Sequence, residues 1–443
     1  MFIQIRISNF IFLRILAGMA KFIIHGGNQI SGKFSPRGNK NAVLPMLAAC
    51  TLTDQPVTLR NVPDIQDVRV MLELLQTLGV SVEKSAGTVT LCAAGLKTTE
   101  LDEELCRHVR ASILLAGPLA ARHGSAKIHS PGGDVIGRRR LDTHFYGLRA
   151  LGIEISDSVP FCFSRKTLAG ADMILDEASV TATENILMAA ALADGETSIF
   201  NAACEPHVQD LAHLLVKMGA DIAGIGTNRI HIRGVKQLVG TDHTVQSDYI
   251  ETGSFLAAAA VTGGALEIDA PGDAVTLNVL EKGFHKLGVS WTLNGGALTQ
   301  TPAAERKTVT DIGNFTPKIE DGIWPAFPSD LMSVMIVLAT QTHGQMLFFE
   351  KLFESRMYFV DNLMAMGANI IQCDPHRVVV SGFSKLHGAR LTSPDIRAGM
   401  AMVIAACCAD GRSIIENAQM IDRGYEALDT RLRALGVDIV REN

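Results

Sequence analysis

The stretch LLQTLGVSVE, residues 74–83, closes an apolar helical run at Gly79 and passes at once into an alternating, strand-like run. The same arrangement returns as GLRALGIEI (147–155), LLVKMGADIA (214–223), GFHKLGVSW (283–291), NLMAMGANI (362–370) and RLRALGVDIV (431–440). Successive glycines, Gly79, Gly152, Gly219, Gly288, Gly367 and Gly436, stand 67 to 79 residues apart. A glycine is what a helix C-terminus needs when the next residue must enter the left-handed region and turn into a strand. A period this long is a whole supersecondary unit, so the chain reads as six similar α/β units.

Each unit opens with a small-residue helix, such as NAVLPMLAACTL, RASILLAGPLAAR or GMAMVIAACCA, and continues through a strand such as QPVTLRNV, SAKIHS or SIIENA. Helices crowded with alanine can approach closely, which predicts buried inner helices with the sheets outside them. At 443 residues the chain exceeds what one core usually serves, and six units divide as three and three. Three units end near residues 235–246, which predicts one domain over 40–246. The strand, turn and strand of AKFIIHGGNQISG (20–32) cannot complete the first unit alone, so the second domain is expected to comprise 20–39 plus 247–443. Residues 1–19 are set apart as an N-terminal extension: Arg14 interrupts the apolar run that a signal peptide would need, so residues 1–18 read as lying upstream of a start at Met19 or as a short surface-active segment.

Composition narrows the class. Apolar residues make up 47% and charged residues 19%, with no run of eighteen uncharged apolar residues, which predicts a soluble, globular protein without a membrane span. A net charge of −6 argues against a general nucleic-acid binder. The eight cysteines show no CxxC spacing and read as buried thiols of a reducing compartment. The thirteen histidines show no paired-ligand spacing, so neither a metal nor a cofactor is expected.

Several segments carry chemistry. SPRGNKNAVLP (35–45) sets Lys40 and Asn41 at the mouth of an apolar helix, an anion site in kind. SPGGDVIGRRRLDTH (130–144) brackets Asp134 with glycines and follows it with Arg138, Arg139, Arg140 and Asp142, the pattern of a mobile catalytic loop. Arg110, Arg356, Arg397 and Arg423 begin or punctuate other units. Guanidinium forks match carboxylate and phosphate, so convergence of these arginines would make a polyanion pocket. Asp330 and Asp395 start helices, where capping alone would explain either, and with Asp134 they also offer an acid and base pair.

The motifs GNKNAVLP, RASILLAGPLAAR, PGGDVIGRRRLDTH, SVTATENI, SDYIETGSF, PAFPSDLMS, FESRMYF, DIRAGM and IDRGYEALDTRLRALG resemble the UDP-N-acetylglucosamine 1-carboxyvinyltransferase (enolpyruvyl transferase) family over nearly all of residues 20–443. The resemblance implies two inside-out, barrel-like α/β domains of three units each. It implies transfer of the enolpyruvyl group of phosphoenolpyruvate to the 3-hydroxyl of UDP-N-acetylglucosamine, with release of phosphate, in peptidoglycan synthesis. No obligate protein partner is implied.

By motif, Lys40, Asn41, Arg139 and Arg423 would hold phosphoenolpyruvate and its departing phosphate, and Arg356 and Arg397 would face its carboxylate. Arg110, the run Arg139, Arg140, Leu141, Asp142 and Thr143, the stretch Glu177 to Val180 with Ser179, and Leu352 with Phe353 would frame the sugar nucleotide. Asp330, also beside the sugar, would take the hydroxyl proton, and Asp395 would sit near Asp134 as a like-charge neighbour. Asp248 and Glu205 read as structural or uridine-side positions. Catalysis is expected to wait for the domains to close, with the Asp134 loop as lid.

The chain departs from the family's usual pattern at Asp134, where most members carry cysteine as the general acid. Aspartate there predicts resistance to fosfomycin, an epoxide that alkylates the thiol. Thr181 stands where glycine is usual, and Glu177 and Tyr249 where basic residues are common. These changes keep two alternatives open, a paralogue acting on another nucleotide sugar and a non-catalytic regulator that binds one.

Overall fold

The computed structural model describes residues 20–133, 136–137 and 140–443. All six repeat glycines adopt the left-handed conformation, with φ of +99° at Gly79, +89° at Gly152, +104° at Gly219, +69° at Gly288, +101° at Gly367 and +103° at Gly436. After the helix Gln66–Thr77, the Gly79 amide donates to the Gln76 carbonyl at 3.0 Å and the Val80 amide to the Leu75 carbonyl at 3.0 Å. That pair of bonds satisfies two orphan carbonyls at the helix end and aims the chain into the strand Ser81–Ser85. Gly367 repeats it, bonding to Met364 at 2.9 Å while Ala368 bonds to Leu363 at 3.0 Å.

The small-residue helices are the inner ones. Every residue of Met332–Thr340 is buried, and in Lys40–Ala49 only Asn41 escapes burial. Among the described residues six sheets accompany them. Five have four strands, and the sheet of Ser125–Ile128, Phe161–Arg165 and Ile153–Ile155 has three. Their strands alternate buried and exposed positions, as in Val57–Arg60, so one face packs on the helices.

The chain forms two compact units. One spans residues 36–249 and includes Ile323–Ala326; the other spans 20–35, 250–322 and 327–443. In the first, the late strand Asp242–Thr244 returns to pair in parallel with Val57–Arg60. In the other, the opening strand Lys21–His25 pairs with Arg412–Glu416 and Asp438–Glu442, and Gly32–Phe34 pairs in parallel with Leu266–Asp269. Among the described residues no helix is long and apolar enough to cross a membrane.

Two sequence expectations need correction. RASILLAGPLAAR is not one α-helix, because Arg110–Leu115 is a 3-10 turn and the α-helix begins only at Ala116. Pro118 has no amide to donate and the Gly117 amide donates to the Asn185 side chain at 2.7 Å, so two successive donors of the α-helical ladder are missing there. The thiols are not uniformly buried either. All eight are free, but Cys162 and Cys373 are exposed. Cys162 lies between Phe161 and Phe163 on a strand whose inward side chain is Phe163, which sends its own side chain outward.

Candidate active site

In the unit built on residues 36–249, Asn39 caps the helix Lys40–Ala49 and its side chain accepts from the amides of Asn41 at 2.8 Å and Ala42 at 3.1 Å. The Lys40 side chain is nine-tenths buried, and its Nζ lies 2.8 Å from Oδ2 of the buried Asp67. Asp248 steadies the same helix start, accepting from the Lys40 amide at 3.4 Å and from Asn39 Nδ2 at 3.5 Å. Lys40 is thus presented by a capped helix mouth with Asn41 half-exposed beside it.

A hydrogen-bonded relay crosses from the helix Val180–Ala190 to the helix Asp142–Ala150. Asn185 Oδ1 accepts from the Gly117 amide, so Asn185 Nδ2 must be the donor to the Ile113 carbonyl at 2.8 Å and to His144 Nδ1 at 3.0 Å. The His144 proton therefore sits on Nε2 and is donated to Thr181 Oγ1 at 3.0 Å. Burial, and then the nearby Arg110 charge, push His144 down to about 3, so it is neutral at physiological pH. Arg110 itself is half-buried in the 3-10 turn.

Thr143 donates to Asp176 Oδ1 at 2.8 Å and to Glu177 Oε1 at 3.3 Å, and Arg140 pairs with Asp142 at 2.7 Å on the exposed side. Ser179 occupies the cap position of its helix without a side-chain bond, and Val180 opens that helix half-buried. Leu141 is half-buried. Tyr249 is buried, with its ring centroid 6.2 Å from that of Trp324. Burial raises the pKa of Glu205 and that of Glu184 next to it. Asp134 and Arg139, on which two expected roles fall, lie outside the described residues.

In the other unit, Asp330 Oδ2 accepts from Arg397 Nε at 3.0 Å and Nη2 at 2.8 Å, while Oδ1 accepts from Arg356 Nη2 at 3.1 Å. The two arginine side chains are 4% and 7% exposed, whereas the aspartate side chain is 27% exposed, so buried guanidiniums grip a carboxylate that keeps part of its own surface accessible. Asp330 sits in the 3-10 turn Ser329–Leu331 and Arg356 opens the turn Arg356–Phe359. Arg356 Nη1 is buried with no hydrogen-bond partner among the described residues, which leaves one guanidinium edge for an anion.

Asp395 caps the helix Ile396–Cys408 through the amides of Arg397 at 2.8 Å and Ala398 at 2.9 Å. That cap fixes the backbone from which Arg397 reaches Asp330. Arg397 also packs over the Tyr425 ring at 5.7 Å and meets its hydroxyl at 3.4 Å, and Ser254 holds that hydroxyl at 2.8 Å. Arg423 is buried at the end of the turn Ala418–Arg423. Leu352 is exposed and Phe353 is half-buried under Arg356 at 5.1 Å.

The structure thus groups Asp330, Arg356, Arg397 and Asp395 in one unit, and Lys40 and Asn41 in the other. Sequence reasoning missed Asp67, His144, Asn185 and Tyr425. His144, Asn185 and Tyr425 lie within motifs quoted above but carry no role there, Asp67 lies in none, and their partners stand tens of residues or more away in the chain, at 27 for Lys40 to Asp67 and 41 for His144 to Asn185. Only the charge of Asp67, in the first turn of a helix whose other buried residues are apolar, could have drawn notice.

Two units of three α/β repeats, with an arginine-gripped aspartate in one and a buried lysine at a helix mouth in the other, define an enolpyruvyl transferase fold. Solved structures share it: the enolpyruvyl transferase NikO from Streptomyces tendae superposes with a TM-score of 0.85 at 23% identity, covering 96% of this chain and 99% of that one. EPSP synthase from Acinetobacter baumannii follows at 0.73 and 20%, covering 96% of this chain and all of the other.

The chain belongs to the EPSP synthase (3-phosphoshikimate 1-carboxyvinyltransferase) family, whose profile matches residues 24–432. Within it, the chain is 53% identical to the UDP-N-acetylglucosamine 1-carboxyvinyltransferase of Treponema denticola, over 95% of this chain and 99% of that protein. The proteins of the same name from Treponema pallidum and Bradyrhizobium diazoefficiens are 53% and 51% identical, over 96% and 95% of this chain and 100% and 98% of theirs.

Proposed function

We propose that this chain transfers the enolpyruvyl group of phosphoenolpyruvate to the 3-hydroxyl of UDP-N-acetylglucosamine and releases phosphate, the entry step of peptidoglycan synthesis. The observation that carries the reading is the Asp330 carboxylate gripped by Arg356 and Arg397, in a chain whose relatives of 51–53% identity bear this activity in their name.

Asp330 takes the proton of the sugar hydroxyl as that oxygen attacks the substituted carbon of the enol. Asp134 protonates the methylene, and elimination returns that proton as the C–O bond to phosphate breaks. Arg356 and Arg397 face the substrate carboxylate, and Lys40, Asn41, Arg139 and Arg423 stabilise the phosphate that leaves. Arg110, Arg140, Leu141, Asp142, Thr143, Ser179, Val180 and Leu352 frame the nucleotide. The two substrates bring about five negative charges, which a set of one lysine and several arginines matches.

The departures at Glu177, Thr181 and Tyr249 do not by themselves favour a different acceptor, since Glu177 accepts from Thr143, Thr181 from His144, and Tyr249 is packed beside Trp324. Phosphate release from phosphoenolpyruvate, measured with a panel of purified nucleotide sugars, tests the reading. Release confined to UDP-N-acetylglucosamine supports it. Release confined to another sugar assigns the paralogue, and release with none assigns a binder.

A further inference from the structure

Behind Arg356 lies a carboxyl group that the proposed chemistry does not use. Glu350 is fully buried and follows the strand Gly344–Phe349. That strand pairs in parallel with Lys318–Glu320 in the register Glu320 to Phe349, so Asp321 and Glu350 leave the sheet side by side. The Asp321 amide donates to the Phe349 carbonyl, and the Lys351 amide donates to Asp321 Oδ1. Glu350 accepts from Ser329 Oγ at 2.8 and 2.9 Å and from the Phe353 amide at 3.1 Å. Ser329 directly precedes Asp330 and Phe353 lies under Arg356, so this one side chain ties together the two turns that carry the Asp330–Arg356 pair.

We infer that Glu350 is a proton-bearing positioning residue, which fixes both turns by neutral hydrogen bonding and leaves the Arg356 guanidinium to Asp330 and to the substrate. The inference rests on the reading that Asp330 and Arg356 serve the transfer. Two observations support the neutral form. Arg356 Nε stands 3.8 Å from Glu350 Oε2, whereas an ionised carboxylate beside a buried guanidinium closes to about 2.7–2.9 Å. Two buried carboxyls abreast cannot both ionise cheaply; burial and then the neighbouring Asp321 push Glu350 up to about 9.

The groups facing Glu350 are Asp321 from one strand end, Arg356 and the Phe353 amide from the following turn, and Ser329 from the turn of Asp330. His376 meets only its backbone, through Nδ1 on the carbonyl at 2.8 Å, and the Lys351 Nζ turns to Glu320 at 3.1 Å. Were Glu350 ionised, it would compete with Asp330 and with an incoming carboxylate for Arg356.

The test compares Glu350→Gln, which keeps the shape and the acceptor, with Glu350→Leu, which keeps neither the bonds to Ser329 and Phe353 nor the contact to Asp321. Affinity for phosphoenolpyruvate by calorimetry and phosphate release from pH 6 to 10 are both read, and thermal melting reports folding. Glu350→Gln is expected to keep phosphoenolpyruvate affinity and kcat within about threefold of the parent at pH 7.5, and to lose the alkaline fall expected of the parent as Glu350 gives up its proton. Glu350→Leu is expected to lose about 10²-fold in kcat/KM, the loss of a misplaced reacting group.

Should Glu350→Leu fail to fold, Ser329→Ala cuts only the link to Asp330 and is expected to lower kcat in the same direction. Equal damage from Gln and Leu would overturn the inference, because the charge would then be required, and so would a Leu variant as active as the parent. If the parent releases no phosphate with any sugar, the functional reading fails on its own, and the calorimetric comparison of Gln with Leu still decides the role of Glu350.

Discussion

Replacing Asp330 by asparagine keeps the side chain's volume and removes its charge from between two buried arginines. Arg397 donates two hydrogen bonds to the carboxylate there and Arg356 donates one. An asparagine can accept at one oxygen only, and its amide would face a guanidinium. Bonds to charged groups contribute about 1.5–3 kcal/mol each when buried, but a side chain 27% exposed lets water replace part of that, so a loss of about 1–3 kcal/mol of stability is expected.

The catalytic effect is larger. Losing a positioned general base costs about 10²–10⁴ in rate, equivalent to about 3–5 kcal/mol of barrier. The two arginines lose an internal anion, so phosphoenolpyruvate should bind as well as before or tighter. The expected pattern in steady-state phosphate release is a kcat lower by about 10²–10⁴ with KM for phosphoenolpyruvate unchanged or reduced. A folded variant with kcat within tenfold of the parent would refute the base role, and so would a loss appearing wholly as a raised KM.

Gly219→Ala adds a Cβ that meets nothing within 4 Å, whereas at Gly79 the added Cβ lies 2.5 Å from the Gly95 carbonyl oxygen. The first should cost about 1–2 kcal/mol, the left-handed penalty alone, and the second about 1–3 kcal/mol more, read as the difference in unfolding midpoints. If Asp134 stands where relatives carry the alkylated thiol, intact mass and residual activity after incubation with fosfomycin should show no adduct and no loss. His144 is neutral when folded with a pKa of about 3 against 6.5 unfolded, so the unfolded chain binds the extra proton between those values and stability falls as pH drops through that window. Denaturation midpoints at pH 7 and 4 should therefore converge in His144→Gln relative to the parent, and an unchanged difference would count against the burial of that ring.

The parts of the molecule that were readable from sequence are those set by short-range backbone requirements. Each repeat glycine is needed by a turn spanning a few residues, so Gly79 and Gly367 announce their helix ends without reference to the rest of the chain. Asp395 was legible as a cap for the same reason, because its carboxylate reaches amides two and three residues on. The 3-10 turn at Arg110 was misread although Pro118 stood in plain view, since the second missing donor depends on Asn185, 68 residues away. The convergence of Arg356 and Arg397 on Asp330 spans 26 and 67 residues, and no periodicity encodes it; the resemblance of motifs supplied those positions. Glu350 escaped notice because an acid after an apolar strand ordinarily marks a solvated loop, and only the parallel partner strand puts Asp321 beside it and Ser329 above it.

The most direct test of the central claim is a single assay of the purified full chain: phosphate released from phosphoenolpyruvate with and without UDP-N-acetylglucosamine. Stoichiometric release that depends on the sugar nucleotide, accompanied by a product heavier than it by one enolpyruvyl group, is the predicted result. Absence of both phosphate and the heavier product, from protein that still binds the nucleotide, would contradict it.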